Sequence, residues 1–550
     1  MSRVAAEGGT QPRQVAALLI AISLAIVAGR IASVTSPEGD TAFLSANDRS
    51  RWATVAALVD YGTYEIDRLT AIKDKSGRRR PWQTIDRVRH TGRDGMMHDY
   101  SSKPPLLSTL IAGVYAGVRA VTGLSLIRQP IYVARIVLVL VNLPLLAIFL
   151  VSVWRSIRSA AGDGPGAMAT LAVACFGTMV LPMAITLGNH LPAAAATALV
   201  LAIYLQRGDD ASRCDERNRR VFSPGCGRWG AAFVAGIAAA FTVACELPAL
   251  LMLVLWAGLF FLQDRRSTWT GFAPGALLVG AAFFGTNWAA NASWIPPYMH
   301  RDDGPVIGNL RLAGEPSAAV VAEALAATGE LHPRHRDTPL AIVATASPDR
   351  RIVEVGGGNQ RFALVAPGAG TLDGEREWEI RRWDRWYDYP GSYWMTPRKG
   401  VDRGEPSRVV YAFHATFGHH GLFSLTPFWL LVPLGLWLRL REPSGSSGWW
   451  LAVATGVATL ICFAFYIARP LIDRNYGGVS CCFRWLLWFA PLWLWSAHPA
   501  AERLARGRWG SWCLIGLVAA SVFSVATALE TPWRHPWIYR YLEFLGWIGG

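Results

Sequence analysis

Long apolar stretches with a helical period alternate with short polar connections along most of the chain. A stretch of ~20 apolar residues can cross the hydrocarbon core of a bilayer as a helix. We therefore predict an all-α polytopic membrane protein with about eleven spans, the first from about Val15 to Val34. The other predicted spans are residues 131–153, 166–187, 191–206, 229–246, 248–262, 269–290, 422–440, 449–468, 483–497 and 510–529.

Two long polar segments, residues 35–130 and 291–421, interrupt this pattern. Short loops rich in Lys and Arg stay in the cytoplasm, whereas long segments are translocated largely regardless of charge. The N-terminus and all the arginine-rich connections lie on the cytoplasmic side only if residues 104–122 do not cross the membrane. We therefore predict that residues 104–122 lie along the outer surface as an interfacial helix, broken by Gly113, Gly117 and Arg119. These connections contain Arg155 and Arg158, residues 207–228, Arg265 and Arg266, Arg439 and Arg441, and residues 503–508. Both long segments are therefore predicted outside.

Three regions follow from this topology. Residues 1–290 form a transmembrane module with the first outer segment, residues 291–421 an outer loop domain, and residues 422–550 the last spans and an interfacial tail. Turn residues and short apolar runs predict that the outer domain is a small α/β unit. Its predicted elements are a helix at Pro316–Thr328 and strands at Ala341–Thr345, Ile352–Val355 and Phe362–Val365.

Composition agrees with a membrane protein. Of the 550 residues, 52% are hydrophobic and only 17% charged, against about 25% charged in soluble domains. A net charge of +14 could indicate nucleic-acid binding, but the arginines concentrate in the short connections, so the positive-inside bias explains it and we predict no nucleic-acid partner. The 8 cysteines show no framework spacing, which predicts no structural disulfide and no zinc site.

Candidate chemistry lies in the first polar segment. Asp48 stands at the start of a short amphipathic helix just past the first span, and Lys103 precedes two prolines and an apolar run. At a membrane surface, such an acid can take a proton from an acceptor hydroxyl, and such a cation can hold a lipid-linked phosphate. The alternative interpretation is a helix-capping aspartate and a snorkelling lysine.

Other ionisable residues are further candidates. His190 follows a polar connection and can act as a ligand or base, or simply cap a helix. Glu246 ends a span, where an acid is functional by default, although an arginine such as Arg484 would also satisfy its charge. His98 and Asp99 form a spare candidate pair that we expect at the surface.

Several short motifs in order carry a family resemblance. They are Asp48-Arg49-Ser50-Arg51-Trp52, the "YxxKPPLL" element at Tyr100–Leu107, Val133-Ala134-Arg135, the "GLFxxxP" element at Gly421–Pro427, and Gly477-Gly478 followed by Arg484. The order resembles membrane-embedded glycosyltransferases of the GT-C fold, of the protein mannosyltransferase and aminoarabinose transferase type, glycosyltransferase family 39. The resemblance implies a GT-C-type bundle with interfacial helices.

That resemblance also implies a function. The sugar donor would be linked to a polyprenyl phosphate, and transfer to a protein, lipid or glycan acceptor of the cell envelope would invert the anomeric centre. Asp48 would be the catalytic base, and Lys103, with Arg484 or Arg135, would hold the donor phosphate. The site would face the outside of a plasma membrane, in bacteria the periplasm.

The motifs depart from the family pattern at three positions. An acid often follows the first aspartate, where this chain has Arg49, and an acid often precedes the lysine, where it has Ser102. The second outer loop often has an aspartate, where this chain has Asn189 and His190. A divalent metal is therefore left open, with no ligands assigned.

Two other functions remain alternatives. A transporter or flippase of lipid-linked sugars should carry inverted repeats and interrupted spans in matching halves, and the sequence shows no internal repeat. A catalytically inactive scaffold with the GT-C fold would explain the missing second acid.

Overall fold

The computed structural model describes residues 11–74, 76–161, 163–217, 226–367 and 375–548. Part of the basic connection at residues 207–228 therefore lies outside the described residues. The chain divides into two compact units. The first contains the residues up to Asp48, Gly113–Phe283 and the residues from Arg398 on, and the second contains Arg49–Ala112 and Phe284–Pro397.

Helices dominate the chain. The longer ones are Gln11–Ser33, Ala46–Tyr61, Pro105–Thr122, Pro130–Ala161, His190–Arg217, Cys226–Cys245, Leu250–Gln263, Ala273–Asn291, Ser447–Ala468, Ala490–Ala505 and Arg508–Ala526. The shorter ones are Asp67–Thr70, Pro165–Ala172, Val180–Met183, Arg265–Ser267, Ala318–Thr328, Arg408–Thr416, Leu422–Leu425, Leu431–Arg439 and Trp537–Phe544. Proline stands first in several of them, where its missing N–H costs nothing.

Seven helices in the described part of the chain are long and apolar enough to cross a membrane, by length and composition. The predicted count of about eleven spans is therefore not confirmed. Two predicted spans are broken into short pieces. Residues 166–187 form Pro165–Ala172, a π-turn at Val173–Gly177 and Val180–Met183, and residues 422–440 break at Pro427, which starts the 3₁₀ turn Pro427–Leu430.

The stretch predicted to lie at the membrane surface is one continuous helix, Pro105–Thr122. The expected interruption at Gly113 and Gly117 is wrong. A glycine costs a helix only about 1 kcal/mol relative to alanine, which is too little to end an otherwise apolar helix. This helix is among the seven long enough to span, and its interfacial position stays a prediction.

The second unit is built on a five-stranded antiparallel sheet. Its strands are β3 Val306–Leu312, β4 Leu340–Ala344, β5 Arg350–Val355, β6 Gln360–Val365 and β7 Arg376–Arg382. They lie in the order β3-β7-β6-β5-β4. The helix Ala318–Thr328 begins at Ser317, whose hydroxyl accepts from Val320 N, and ends at Gly329 in the left-handed conformation. Its Val321 and Leu325 share a core with Phe362 and Trp378 of the sheet.

The small α/β segment is thus present, with the helix and three strands close to their predicted positions. The charged strand β7 and its partner β3 were not predicted. A hairpin of β1 Arg87–Thr91 and β2 Met97–Ser101 also belongs to the second unit, and its Val88 and Tyr100 pack with Trp386 and Tyr387.

Candidate active site

Asp48 lies in the first turn of the helix Ala46–Tyr61 and is fully buried. Its N–H donates to Ser45 Oγ at 3.1 Å, and its Oδ1 accepts from Ser45 N at 2.8 Å and from Ser45 Oγ at 3.2 Å. This reciprocal pairing is a capping box with Ser45 as the N-cap. Asp48 is therefore not the N-cap residue itself, although it helps to start the helix.

The second oxygen of Asp48 faces another part of the first unit. Oδ2 accepts from Leu44 N at 2.8 Å and from Thr186 Oγ1 at 2.7 Å. Asn142 holds the Thr186 segment in place, because its amide donates to the carbonyls of Ala184 and Thr186 at 2.8 and 3.0 Å. The donors around Asp48 favour the ionised carboxylate, since an anion gains more than a neutral acid from accepted hydrogen bonds.

Thr186 connects Asp48 to the C-terminal region. The indole Nε1 of Trp533 donates to Thr186 Oγ1 at 3.3 Å, while the threonine hydroxyl donates onward to Asp48. The guanidinium of Arg484 lies over the Trp533 ring, 5.1 Å from its centroid. This is cation–π distance and holds the guanidinium plane beside the same indole.

Arg484 is fixed by the glycine motif that precedes it. Its Nε and Nη2 donate to the carbonyl of Gly477 at 2.8 and 2.6 Å. Gly477 has a φ of +98°, and a β-carbon there would lie 2.5 Å from Arg484 Nε. Glycine is required at this position for both its backbone conformation and the close approach of the arginine.

His190 and Glu246 continue the contacts of Arg484. Arg484 Nη1 lies 2.9 Å from His190 Nε2, and His190 Nδ1 lies 2.6 Å from Glu246 Oε1. Arginine can only donate, so His190 Nε2 accepts and His190 Nδ1 carries the proton that Glu246 receives. Asn189 Nδ2 also donates to Glu246 Oε1, at 2.6 Å. His190 is thus an orienting group between an acid and a cation.

These contacts form one continuous polar network within the first unit. We call it the polar network; its members are Asp48, Thr186, Trp533, Arg484, His190, Glu246 and Asn189. It unites four of the residues singled out from sequence: Asp48, His190, Glu246 and Arg484. Chemically, it connects a carboxylate that can accept a proton with a guanidinium that can bind an oxyanion, through Thr186 and Trp533.

Arg135 has a different environment. Its Nε and Nη2 donate to the carbonyl of Val34 at 3.0 and 2.7 Å, and Nη2 also donates to Thr35 Oγ1 at 2.9 Å. These acceptors follow directly on the end of the helix Gln11–Ser33. The arginine therefore satisfies carbonyl groups at a helix C-terminus, where a cation is favourable.

Lys103 belongs to the second unit, with Arg51. Lys103 Nζ lies 3.2 Å from Asp86 Oδ1, and its side chain retains 21% exposure. Arg51 is buried in the helix Ala46–Tyr61. Ser50 Oγ donates to the Asp86 carbonyl at 2.5 Å, which ties this helix to the segment before Lys103.

His98 and Asp99 do not act as a pair. They are neighbours in strand β2, so their side chains point to opposite faces. Asp99 is buried between Arg87 and Arg89, at 2.5 and 2.7 Å. His98 is surrounded by Glu65, Asp67 and Asp94 instead. Burial would lower the pKa of His98, but the hydrogen bond to Asp94 and the nearby carboxylates outweigh it and raise that pKa.

Three members of the polar network were not predicted as site residues: Thr186, Trp533 and Asn189, which the motifs named only as a departure from the family pattern. Thr186 lies inside an apolar run where a single threonine gives no signal, and Trp533 stands in a tail rich in aromatic residues that predicted only a membrane interface. A hydrogen bond between residues so far apart in the chain is a tertiary fact. Sequence spacing alone offers no way to find either one.

Comparison with solved structures finds similar membrane glycosyltransferases. The apo oligosaccharyltransferase of Archaeoglobus fulgidus aligns with 97% of this chain at 11% identity and a TM-score of 0.45. The same archaeal protein in complex with an inhibitory peptide and a dolichol-phosphate aligns at 13% identity and a TM-score of 0.43. The protein O-mannosyltransferase complex of S. cerevisiae, bound to its sugar donor, aligns with 97% of this chain at 11% identity and a TM-score of 0.41.

The chain spans 57% of the length of the archaeal protein and 92% of the yeast one. Both are glycosyltransferases of the GT-C fold, the class that the sequence motifs resemble. No protein-family model and no curated protein matches the chain.

Proposed function

We propose that this protein is an integral membrane glycosyltransferase. It moves a sugar from a polyprenyl-phosphate donor to a cell-envelope acceptor on the outer face of the membrane in which it lies. The observation that supports it most is the polar network, which links the carboxylate of Asp48 to the guanidinium of Arg484 through Thr186 and Trp533. The donor class is also that of the similar solved structures, which include a dolichol-phosphate complex and a donor-bound mannosyltransferase.

In the proposed reaction, Asp48 accepts the proton of the acceptor hydroxyl as that oxygen forms its bond to the anomeric carbon. The bond between the anomeric carbon and the phosphate oxygen breaks at the same time, and its electron pair leaves with the polyprenyl phosphate. A hydroxyl nucleophile needs such a base, and the departing phosphate needs positive charge. Arg484 is the proposed source of that charge within the first unit, and Lys103 remains the candidate that the family resemblance implies.

The burial of Asp48 sets a condition on this role. Its carboxylate accepts hydrogen bonds from Leu44 N, Ser45 N, Ser45 Oγ and Thr186 Oγ1, so the acceptor hydroxyl has to replace one of its donors. Thr186 is the donor we expect to yield. Rotation of the Thr186 side chain removes its hydrogen bond to Asp48, whereas the donors Leu44 N and Ser45 N are fixed backbone groups.

His190 and Glu246 are proposed as positioning residues. With Glu246 accepting from Nδ1, the lone pair of His190 Nε2 points at Arg484 and fixes one end of the guanidinium. Gly477 fixes the other end. A guanidinium held at both ends loses less conformational freedom when it binds phosphate, which is the benefit of preorganisation.

The test is sugar transfer by purified protein supplied with polyprenyl-phosphate sugars. Asp48→Asn keeps the shape of the side chain and an accepting oxygen but removes the charge. We expect transfer to fall by ~10²–10⁴-fold, the usual contribution of a general base. The amide nitrogen of Asp48→Asn has to face the N–H of Leu44 or Ser45, so we expect a loss of about 1–3 kcal/mol of stability. Thermal denaturation in detergent measures it, and transfer is compared at a temperature at which both proteins stay folded.

Ser45→Ala is the matched control. It removes the N-cap hydroxyl and weakens the helix start by about 1 kcal/mol, but it leaves the Asp48 carboxylate in place. If Asp48 acts only through the capping box, both variants should lose activity in proportion to stability. Wild-type turnover by well-folded Asp48→Asn protein would exclude the base role of Asp48. Absence of transfer by the wild-type protein itself would favour an inactive scaffold or a transporter.

Sugar and acceptor can be found in cells. Cell-envelope proteins, lipids and glycans should be compared between cells with and without the gene. A transferase predicts that one envelope component loses a sugar and that the lipid-linked donor accumulates on the outer face. A flippase predicts that the donor accumulates on the inner face instead.

A further inference from the structure

Histidines cluster in the first unit around residues 405–420, in a group that includes no member of the polar network. Glu405, His414 and His419 each offer a ligand atom, and these atoms all lie within 4.8 Å of one another. His414 lies near the end of the helix Arg408–Thr416, which begins at the N-cap Ser407, and His419 lies in the turn that follows. The local chain therefore brings the three side chains together.

An unpaired ring nitrogen marks this cluster. His414 Nδ1 is buried and has no hydrogen-bond partner among the residues that the structure describes. A buried polar atom without a partner is costly and needs an explanation, such as a bound ion. The His414 ring stacks on His419 with centroids 3.9 Å apart, so the two rings face one another without a hydrogen bond to satisfy Nδ1.

We propose that Glu405, His414 and His419 bind a divalent transition-metal ion, with Zn²⁺ the best match, and leave its fourth position to water or another ligand. Two imidazoles and one carboxylate form a common open zinc donor set. Imidazole nitrogens disfavour Mg²⁺ and Ca²⁺, which prefer oxygen ligands. The cysteine spacing predicted no zinc site, and this set contains no cysteine.

Neighbouring side chains orient these ligands. Tyr476 Oη donates to Glu405 Oε1 at 3.2 Å, and His419 Nδ1 lies 2.5 Å from His420 Nδ1. With His419 as the donor in that pair, its Nε2 keeps the lone pair that a metal requires. A β-carbon at Gly418 would collide with the His414 ring, so glycine at this position leaves room for the ligand. Such supporting contacts are usual around metal ligands.

The test uses full-length protein purified in detergent on a tag without histidines and stripped with a chelator. Calorimetric titration with Zn²⁺, and the visible absorption of Co²⁺ in its place, should show one saturable site. His414→Ala and His419→Ala should each weaken binding by at least about 100-fold, because a ligand matters more than a supporting contact, whose loss costs 10–100-fold. Tyr476→Phe should weaken binding by about 10-fold.

His332→Ala is the matched control, because His332 is a partly buried histidine of the second unit whose Nε2 already contacts the Arg93 carbonyl. It should bind Zn²⁺ as the wild type does. If an alanine variant fails to fold, Glu405→Gln keeps the shape and tests the same site. Binding by the wild type that is unsaturable, or that is equal in the ligand variants, would overturn the proposal and leave a packed cluster of rings. The readout is binding, so it is independent of sugar transfer.

Discussion

At the scale of single residues, the partners of each buried acid separate structural from chemical roles. Asp99 is held by Arg87 and Arg89, and removing one member of such a buried ion-paired group is strongly destabilising. Glu246 accepts from His190 and Asn189 and orients them. Asp48 accepts hydrogen bonds from Leu44 N, Ser45 N, Ser45 Oγ and Thr186 Oγ1. Asp99 and Glu246 thus have structural or orienting partners, and Asp48 is the acid that we propose as the base.

Lys103 is the residue on which donor binding can be tested most directly. Lys103→Ala should raise the KM for the lipid-linked donor by roughly 10–150-fold, because one charge-assisted contact to phosphate contributes about 1.5–3 kcal/mol. Steady-state transfer at varied donor concentration measures this. Asp86→Asn removes only the ion-pair partner and should leave the donor KM near the wild-type value. Unchanged donor dependence in well-expressed Lys103→Ala would exclude Lys103 from donor binding and leave it the snorkelling role.

His98 predicts a pH-dependent stability. Its pKa is raised in the folded protein, so protonated His98 stabilises the fold below its ordinary pKa of about 6.5, and this contribution is lost as pH rises through the raised value. His98→Gln should therefore lower the Tm more at about pH 5.5 than at about pH 8.5. Thermal denaturation at both pH values tests this, and an equal loss at both would show that His98 stabilises by packing alone.

At the scale of elements, the broken helices explain where the polar network comes from. Residues 166–187 are apolar enough to predict one span, but the chain leaves the helix before Thr186. Irregular backbone at membrane depth requires partners for its carbonyls, and Asn142 supplies them at Ala184 and Thr186. The break frees the Thr186 hydroxyl to point at Asp48, which a continuous helix would not.

Arg135 stabilises the C-terminal end of the helix Gln11–Ser33, and this role can be tested. Arg135→Ala removes the donors to the Val34 carbonyl at the end of the first helix. We expect a loss of about 1–3 kcal/mol of stability, as for other buried hydrogen bonds to a charged group, and therefore a lower Tm in detergent. The donor KM should not rise. A raised donor KM at normal Tm would instead return Arg135 to the donor phosphate, as the family resemblance implies.

At the scale of the whole molecule, topology is the property that most constrains function, because a lipid-linked donor must meet its acceptor on one side of the membrane. The charge distribution predicts that residues 35–130 and 291–421 are outside and that the arginine-rich connections are inside. Besides the seven helices that are long enough to span, the described part of the chain contains several shorter apolar helices. Whether these also cross the membrane decides on which side each connection lies.

Single cysteines in a cysteine-free background test this topology. Ser76→Cys and Ser347→Cys lie at exposed positions in the predicted outer segments, and Arg266→Cys is exposed in a predicted inner connection. An impermeant thiol reagent should label the first two in intact cells and the third only after permeabilisation. Labelling of Ser76→Cys only after permeabilisation would place residues 35–130 inside. It would contradict both the predicted topology and an active site on the outer face.

The sequence by itself determined the class of this protein and its candidate acids and cations. Hydropathy predicts the helices, since burial in lipid requires apolar runs, and alternation with turn residues predicts the helix and three strands within residues 291–421. The motifs around Asp48, Lys103 and Arg484 are local in the chain, so they could be recognised without a fold.

Only the tertiary structure decided which candidates meet. The network joins widely separated parts of the chain, since Thr186 contacts both Asp48 and Trp533, and Arg484 lies over the Trp533 ring. These contacts depend on helix breaks that hydropathy does not predict. The same holds for Arg135, which satisfies a helix end, and for His98 and Asp99, which strand geometry separates. Composition fixes what a segment can bury, whereas a site depends on directional contacts that form only when the segments pack.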